Sequence, residues 1–142
     1  MGNSLDKVGQ GIGNWYAGKV KNPIFEPYSA IGFLDTSGTL QGAAIFNNYN
    51  GANIEMHFYG PKCITRSNFR FVLAYIFNEL SCVRITVLPP RSNKAMLKIL
   101  PRLNFTYETV LRSYYGPKKQ DDAIVYRMTS IEASKWIKTN GT

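Results

Sequence analysis

The sequence contains little of what metal centres and disulfide frameworks require. Two of its 142 residues are cysteine, Cys63 and Cys82, and one is histidine, His57. With no CxxC pair, this supply of sulfur and imidazole predicts reduced thiols and no metal site. No apolar run approaches the roughly 18 residues of a membrane span, and the first residues lack the apolar core of a signal peptide. We therefore expect a cytoplasmic protein with no membrane partner.

Acidic residues are also scarce. Nine Asp and Glu face 17 Lys and Arg, which gives a formal net charge of +8. A surface of this sign attracts anions, and nucleic acid, an anionic membrane and a phosphorylated cofactor all carry the required charge. No nucleic-acid recognition module of the usual types is visible. Nucleic acid is therefore an alternative partner that the sequence does not favour.

The composition itself is that of a packed globule. Hydrophobic residues make up 44% of the chain and aromatic residues 13%. The length fits one domain spanning residues 1–142. Four glycines from Gly9 to Gly18 disfavour a helix near the beginning, so we expect residues 1–27 to be loosely ordered. A helix with Val8, Ile12, Trp15 and Tyr16 on one side is the alternative.

Three strands are predicted in the first half of the chain. Two short apolar runs, Tyr28 to Leu34 and Leu40 to Phe46, flank a turn rich in Asp, Ser and Gly, which is typical of an antiparallel hairpin. Strict alternation from Asn53 to Tyr59 predicts the third strand. Its two faces carry Ile54, Met56 and Phe58 on one side and Glu55, His57 and Tyr59 on the other.

A helical stripe and a fourth strand follow. Apolar residues from Phe69 to Leu80 recur at steps of three and four, and Thr65 or Ser67 can cap the start of that helix. The run from Val83 to Val87 alternates again as a strand. Strand, helix and strand in this order predict a right-handed crossover between two parallel strands.

The remainder predicts a second helix, a hairpin and a terminal helix. Apolar residues from Met96 to Leu103 mark the second helix, with Ser92 as its cap. Two strands are expected at about Phe105 to Tyr115 and Ala123 to Met128, and a short helix at Ser130 to Lys138. The fold class is therefore α/β (α+β), with a mixed, mostly antiparallel sheet containing one parallel β-α-β crossover.

Several short motifs match a known superfamily in order and spacing. They are Tyr75-Ile-Phe77, Cys82-Val-Arg-Ile-Thr-Val, Asn93-x-x-Met96, Arg102-Leu-Asn-Phe105 and Leu111-Arg112. From about Tyr28 to Met128 the chain resembles the GCN5-related N-acetyltransferase (GNAT) superfamily. It is most similar to short stand-alone bacteriophage and prophage members and to ribosomal-protein-alanine N-acetyltransferases. A phage-encoded member would work in the host cytoplasm.

The resemblance implies a function and a cofactor. GNAT proteins bind acetyl-CoA in a cleft where the two parallel strands separate. The implied activity is an N-acetyltransferase that transfers the acetyl group to an amine of a protein or small molecule by direct attack, without an acyl-enzyme. The resemblance leaves the acceptor and the oligomeric state open.

The resemblance also implies cofactor-binding residues along the third strand, the loop after it and the turn before the second helix. Strand backbone groups pair with the pantetheine arm, and a helix N-terminus favours the pyrophosphate. The implied residues are Met56, Phe58, Tyr59, Lys62, Cys63, Ile64, Thr65, Arg66, Ser67, Asn93, Lys94 and Lys98. Pro61 and Cys63 depart from the usual glycine-rich loop, and Lys62 and Arg66 are the charged replacements.

Acetyl transfer needs a base for the amine and a proton donor for the departing thiolate. Glu55 and His57 share the strand face beside the expected thioester, so either is a candidate base, directly or through water. Tyr107 is the candidate donor, with Tyr114, Tyr115 and Ser92 as alternatives, because Met96 stands where relatives often have Ser.

A second function also fits the sequence. The missing loop glycines, the missing Ser and the charge of +8 are compatible with a catalytically degenerate GNAT-fold protein of phage origin. Such a protein would bind or regulate an acidic protein or a nucleic acid.

Overall fold

The computed structural model describes residues 4–20, 27–60 and 65–138, with side chains from residue 10 onward. In chain order the elements are helix α1 (Ser4–Ala17), strands β1 (Tyr28–Leu34), β2 (Leu40–Asn47) and β3 (Asn53–Tyr59), helix α2 (Arg66–Ala74), strand β4 (Arg84–Val87), helix α3 (Lys94–Arg102), and strands β5 (Thr106–Leu111) and β6 (Ala123–Thr129). A π-helical turn, Tyr75–Glu79, continues α2, and short 3₁₀ turns cover Lys119–Asp121 and Glu132–Lys135.

The six strands form one sheet in the order β1-β2-β3-β4-β6-β5. β3 and β4 are parallel, and the other neighbouring pairs are antiparallel. Helix α2 connects β3 to β4, because parallel neighbours cannot be joined by a tight turn. The fold class expected from the sequence, including its single parallel crossover, is confirmed.

The main core lies between one face of the sheet and helices α2 and α3. The stripe predicted on α2 is buried there, including Phe69, Leu73 and Phe77, and Leu100 of α3 is fully buried. Thr65 begins α2, because its Oγ1 accepts a hydrogen bond from the Asn68 N–H at 3.1 Å. Thr65 is therefore the cap, one of the two that the sequence allowed.

Helix α1 covers the opposite face of the sheet. The sequence favoured a loosely ordered segment here, and that expectation was wrong for Ser4–Ala17, which is helical. Tyr16 is buried in a cluster with Ala43 and Ile45 of β2, and Ile12 packs against the same cluster. Burial of this aromatic and aliphatic face outweighs the helix cost of the glycines, about 1 kcal/mol each.

Three boundaries also differ from the sequence expectation. The cap of α3 is Asn93 and not Ser92, since Asn93 Oδ1 accepts from the Met96 N–H at 3.2 Å. Strand β5 ends at Leu111, four residues early, because Ser113 adopts a φ of 54° and its N–H donates to Asp122.

The expected terminal helix is reduced to the 3₁₀ turn Glu132–Lys135. Ser134 Oγ donates to the carbonyl of Ile131 at 2.6 Å, and the Trp136 indole N–H donates to the carbonyl of Leu103 at 3.0 Å. These local and tertiary bonds replace continued helical pairing. Among the described residues, none of the helices is long and apolar enough to span a membrane.

Candidate active site

A gap opens between the two parallel strands at their carboxyl ends. Their pairing ends where Glu55 of β3 meets Thr86 of β4. Beyond that point β3 stays paired with β2 as far as Tyr59, and β4 stays paired with β6 through Val87. The two strands therefore diverge after Glu55, towards their carboxyl ends. The β3 backbone from Met56 onward is not paired with β4. Carboxyl ends of parallel strands are where open α/β sheets bind ligands.

The side of the gap that faces α2 is apolar. Met56 and Phe58 are buried there, and a small apolar cavity between β3 and α2 is lined by Phe33, Ala44, Met56, Phe58, Phe69 and Val72. Met56 and Phe58 are predicted cofactor residues, but their side chains are buried, so only their backbone groups face the gap. Tyr59 lies on the opposite face, where its ring meets Trp15 of α1 edge to face, with centroids 5.9 Å apart.

His57 lies on the α1 face and is held by a buried amide. Its Nε2 is 2.9 Å from Oδ1 of Asn47 on β2. Because an amide oxygen only accepts, Nε2 carries the proton and Nδ1 is left with a lone pair. Burial lowers the pKa of His57 to about 4. At pH 7 the ring is therefore neutral and a weak base.

Glu55 is half-buried on the same face as His57. Burial is the largest cause that raises the pKa of Tyr115. Tyr114, the negative charge of Glu55 and Tyr16 raise it further, in that order. The Tyr115 hydroxyl donates to the carbonyl of Leu88, directly after β4. Burial raises the pKa of Tyr16 to about 12, so its hydroxyl stays protonated. Tyr115, on the β5–β6 connection, is thus the tyrosine whose pKa responds to the charge of Glu55.

The carboxylate of Asp122 holds the β5–β6 connection in place. Ser113 N–H donates to its Oδ1 at 2.8 Å, and Arg91 and Arg112 lie 3.3 and 3.2 Å from its Oδ2. The hydrogen bond from Ser113, followed by the two arginines, lowers the pKa of Asp122. The Arg91 N–H also donates to the Asp122 carbonyl at 2.8 Å. This buried side chain therefore joins the loop that carries Tyr115 to the loop that leads into α3.

Tyr107 does not reach this neighbourhood. It pairs with Tyr126, which pairs with Val87, so its side chain lies on the α2–α3 face. Glu55 pairs with Thr86 and points to the other face. Strand β5 is also three strand spacings from β3, about 14 Å, and Tyr107 is 54% exposed. Tyr107, the candidate thiolate donor, therefore lies on the face opposite to Glu55, whereas Tyr115 lies on the same face as Glu55.

The N-terminus of α2 lies at the carboxyl end of β3. Thr65 and Ser67 are joined by a hydroxyl contact of 3.2 Å. The Arg66 guanidinium lies over the ring of Trp136, 5.7 Å from its centroid, which holds this cation at the first turn. Lys62, Cys63 and Ile64 lie outside the described residues.

The N-terminus of α3 lies at the carboxyl end of β4. Asn93 uses Oδ1 for the cap, so its Nδ2 group remains the part of the side chain that can donate to a ligand. Lys94 and Lys98 are exposed on successive turns of α3. The structure thus brings the ends of both parallel strands and both following helices to one edge of the sheet.

Three residues of this region were missed from the sequence. Gly60 has a φ of 95°, and a Cβ there would stand 2.5 Å from the Gln41 carbonyl oxygen, so it ends β3 in a way no other residue can. A glycine between a strand and Pro61 was the available signal. Tyr16 belongs to a helix that the sequence offered only as the alternative, and no sequence signal marked Asn47 as the partner of His57.

Solved acetyltransferase structures share this architecture. Mutant forms of the spermidine/spermine N-acetyltransferase SpeG from Vibrio cholerae align with a TM-score of 0.65 at 14% identity, over 80% of this chain and 73% of theirs. The ribosomal-protein-S5-alanine acetyltransferase from Vibrio fischeri aligns with a TM-score of 0.61 at 17% identity, over 78% of this chain and 64% of its own. The fold is a GNAT fold.

A chimera of the Vibrio cholerae spermidine N-acetyltransferase with hSSAT covers more of the chain. It aligns over 94% of this chain and 84% of its own length, with a TM-score of 0.64 at 14% identity. No protein-family model and no curated protein matches the sequence. The GNAT likeness is thus carried by three-dimensional structure at low identity.

Proposed function

We propose that the protein is an acetyl-CoA-dependent N-acetyltransferase that transfers the acetyl group to an amine by direct attack. The observation that carries this proposal is the divergence of β3 and β4 immediately above the Glu55–Thr86 pair. That gap has an apolar face towards α2 and a polar face with Glu55 towards α1. The GNAT fold of the solved acetyltransferases supports the same activity.

The described residues fit an acyl-CoA. The β3 backbone from Met56 to Tyr59, unpaired with β4, offers groups for the amides of the pantetheine arm. The first turn of α2 offers backbone N–H groups and a positive dipole end to the pyrophosphate, with Arg66 beside it. Asn93 Nδ2, Lys94 and Lys98 are further donors on α3. The cofactor supplies a thioester whose carbonyl carbon is the electrophile.

Glu55 is the base of the proposed reaction. As the amine nitrogen bonds to the acetyl carbon, the carbon–sulfur bond breaks and CoA leaves as a thiolate that takes up a proton from solvent, while the nitrogen passes its own proton to Glu55. Glu55 forms no ion pair with any residue that the structure describes, although Glu108, Asp122 and Glu132 each bind arginine. Its carboxylate is therefore available to an incoming ammonium group, whereas His57 is too weak a base at pH 7.

Tyr115 and Asp122 have positioning roles in this proposal. The Tyr115 hydroxyl holds the Leu88 carbonyl at the end of β4, and Asp122 holds the loop that carries Tyr115. Together they fix the edge of the gap at the end of β4. The proposal leaves the acceptor as an amine of a protein or of a small molecule.

Cofactor binding is tested by thermal unfolding with acetyl-CoA, with ATP as the control for unspecific phosphate binding. A ligand at 100 times its Kd stabilises the folded state by about 2.7 kcal/mol, which raises the Tm by about 8 °C for a domain of this size. We expect a shift of this order with acetyl-CoA and a much smaller one with ATP. No shift at millimolar acetyl-CoA would reject the proposed function.

The base is tested by Glu55→Gln, with Glu79→Gln as the matched control because Glu79 lies on the exposed end of α2. Thiol release from acetyl-CoA is followed with a panel of amines that includes a polyamine and an alanine-terminated peptide. Loss of a general base costs about 10² to 10⁴ in rate, so we expect Glu55→Gln to lower kcat by at least about 100-fold. The acetyl-CoA Tm shift and the Glu79→Gln rate should stay unchanged. A fully active Glu55→Gln enzyme would refute the assignment.

A further inference from the structure

The positive charge of the described residues is concentrated on one layer of the protein, the helical layer. The helical layer comprises α2, α3 and the segment from Ile131 to Lys138, which packs on both helices through Trp136. The Trp136 ring meets Phe69 of α2 edge to face at 4.9 Å, and its indole N–H donates to the Leu103 carbonyl after α3. The described cations of this layer are Arg66, Arg70, Lys94, Lys98, Arg102, Lys135 and Lys138, and its carboxylates are Glu79 and Glu132.

Three carboxylates of the described residues, Glu108, Asp122 and Glu132, already have arginine partners. Arg84 binds Glu108 with two hydrogen bonds of 2.9 and 2.7 Å. Arg127 lies 3.5 Å from Glu108 and 3.3 Å from Glu132. Asp122 holds two further arginines. All ion pairs among the described residues are therefore formed by arginines of the strands and loops, not by cations of the helices.

The cations of the helical layer have no such partners. Within the described parts of the chain, none of the seven lies in an ion pair, and all are exposed. Lys94, Lys98 and Arg102 recur every four residues and so lie along one face of α3, about 6 Å apart. The seven cations and two carboxylates leave this layer with a charge of +5, most of the net charge of +8. Arg66 already lies over Trp136, and Arg66, Lys94 and Lys98 are proposed to contact acetyl-CoA, whereas Arg70, Arg102, Lys135 and Lys138 have no such role.

An exposed aromatic ring accompanies these cations. Phe71 of α2 follows Arg70 directly and is 63% exposed, although its neighbours Val72 and Leu73 are buried. A cationic surface with an exposed aromatic side chain suits a strand whose bases are free to stack, since phosphates meet the cations and a base meets the ring. Polyglutamate, which has no apolar or aromatic side chain, would use the charges but not the ring.

We propose that the helical layer binds single-stranded nucleic acid. The phosphates contact Arg70 of α2, Arg102 of α3, and Lys135 and Lys138 of the segment from Ile131 to Lys138, and an unpaired base stacks on Phe71. This binding function is separate from acetyl transfer and lies on the face of the sheet opposite to Glu55.

The test uses fluorescence anisotropy of the full chain with a labelled 20-nucleotide single-stranded RNA of mixed sequence. The layer variant is Arg70→Glu with Lys135→Glu, because both side chains are exposed and neither holds another residue. The matched control is Lys118→Glu with Lys119→Glu, on the β5–β6 connection. Both variants lower the net charge equally, so a difference between them reports position and not overall field. Circular dichroism and Tm show that both variants are folded.

We expect the layer variant to weaken RNA binding by at least about tenfold, and the control variant by less than about threefold. Each lost phosphate contact on a single strand reduces the slope of log Kobs against log[salt] by about 0.7. The layer variant should therefore flatten that slope by about 1.4. Phe71→Ala should weaken binding to the single strand with no change in the salt slope.

Two results would overturn the proposal. One is equal weakening by the layer and control variants, which would show that only net charge matters. The other is polyglutamate of matched charge competing as well as unlabelled RNA, which would identify an acidic-protein surface instead. Failure of acetyl transfer leaves this test unaffected, because no cofactor or amine takes part in it.

Discussion

Gly60 offers the sharpest test of how the chain leaves β3 to form the proposed cofactor cleft. Its φ is 95°, and a Cβ at this position would stand 2.5 Å from the Gln41 carbonyl oxygen and 2.7 Å from the Gly42 Cα. Both obstructing atoms belong to the backbone of β2, so they cannot rotate away as a flexible side chain would. Gly60→Ala must therefore displace β2 from the end of β3.

Gly51 provides a matched control within the same chain. Its φ of 93° is nearly identical, but a Cβ there would meet nothing within 4 Å. Gly51→Ala thus carries only the backbone cost of a positive φ, about 1–2 kcal/mol. Gly60→Ala carries that cost together with the steric displacement, about 1–3 kcal/mol more. The difference between the variants isolates the clash with β2.

The assay is urea unfolding of wild type and both variants, with the Tm measured alongside. At about 3 °C per kcal/mol for a chain of this size, we expect Gly51→Ala to lower the Tm by about 5 °C and Gly60→Ala by about 10 °C. The stabilisation by acetyl-CoA should also fall in Gly60→Ala and persist in Gly51→Ala, because Gly60 leads into the segment before α2. Equal losses in the two variants would refute the close approach of Gly60 to β2.

Two further predictions concern the α1 face of the sheet. Because burial lowers the pKa of His57 from 6.5 to about 4, the unfolded chain takes up its proton first as the pH falls, and stability should be lost between about pH 6.5 and pH 4, by up to about 3 kcal/mol. His57→Gln should remove that part of the pH dependence, and parallel stability curves for wild type and variant would contradict it. Tyr115→Phe removes the hydroxyl that holds Leu88 and should cost about 1 kcal/mol with a reduced kcat, whereas Tyr107→Phe should change neither. Equal behaviour of the two tyrosine variants in unfolding and thiol-release assays would refute the positioning role of Tyr115.

The sequence predicted the sheet and its crossover because these rest on local periodicity. Alternation from Asn53 to Tyr59 and the helical stripe from Phe69 to Leu80 each follow from which face of an element is buried. The same periodicity placed Glu55 and His57 on a common face. The ends of strands and helices were harder to predict from the sequence. The end of β5, for example, depends on a hydrogen bond between Ser113 and Asp122, nine residues later.

Helix α1 shows most clearly where local reasoning failed. Its glycines cost helix propensity, which the sequence displays directly, but the compensating burial of Tyr16 exists only once β2 presents Ala43 and Ile45 to it. Without α1, the sequence could not place Tyr16 against β2. The pKa of His57 was out of reach for the same reason, because its burial is a property of the assembled molecule and not of residue type.

The sequence by itself determined which residue types share a face: an apolar stripe for the core, a carboxylate and an imidazole on one side of β3, and an excess of cations. Each of these follows from the period of a strand or helix and from the charge of a side chain. Only the tertiary structure decided that β3 and β4 part above Glu55, that Tyr115 and not Tyr107 stands near it, and that unpaired cations gather on the helical layer. These outcomes depend on strand order and on contacts between distant segments, which no local period encodes.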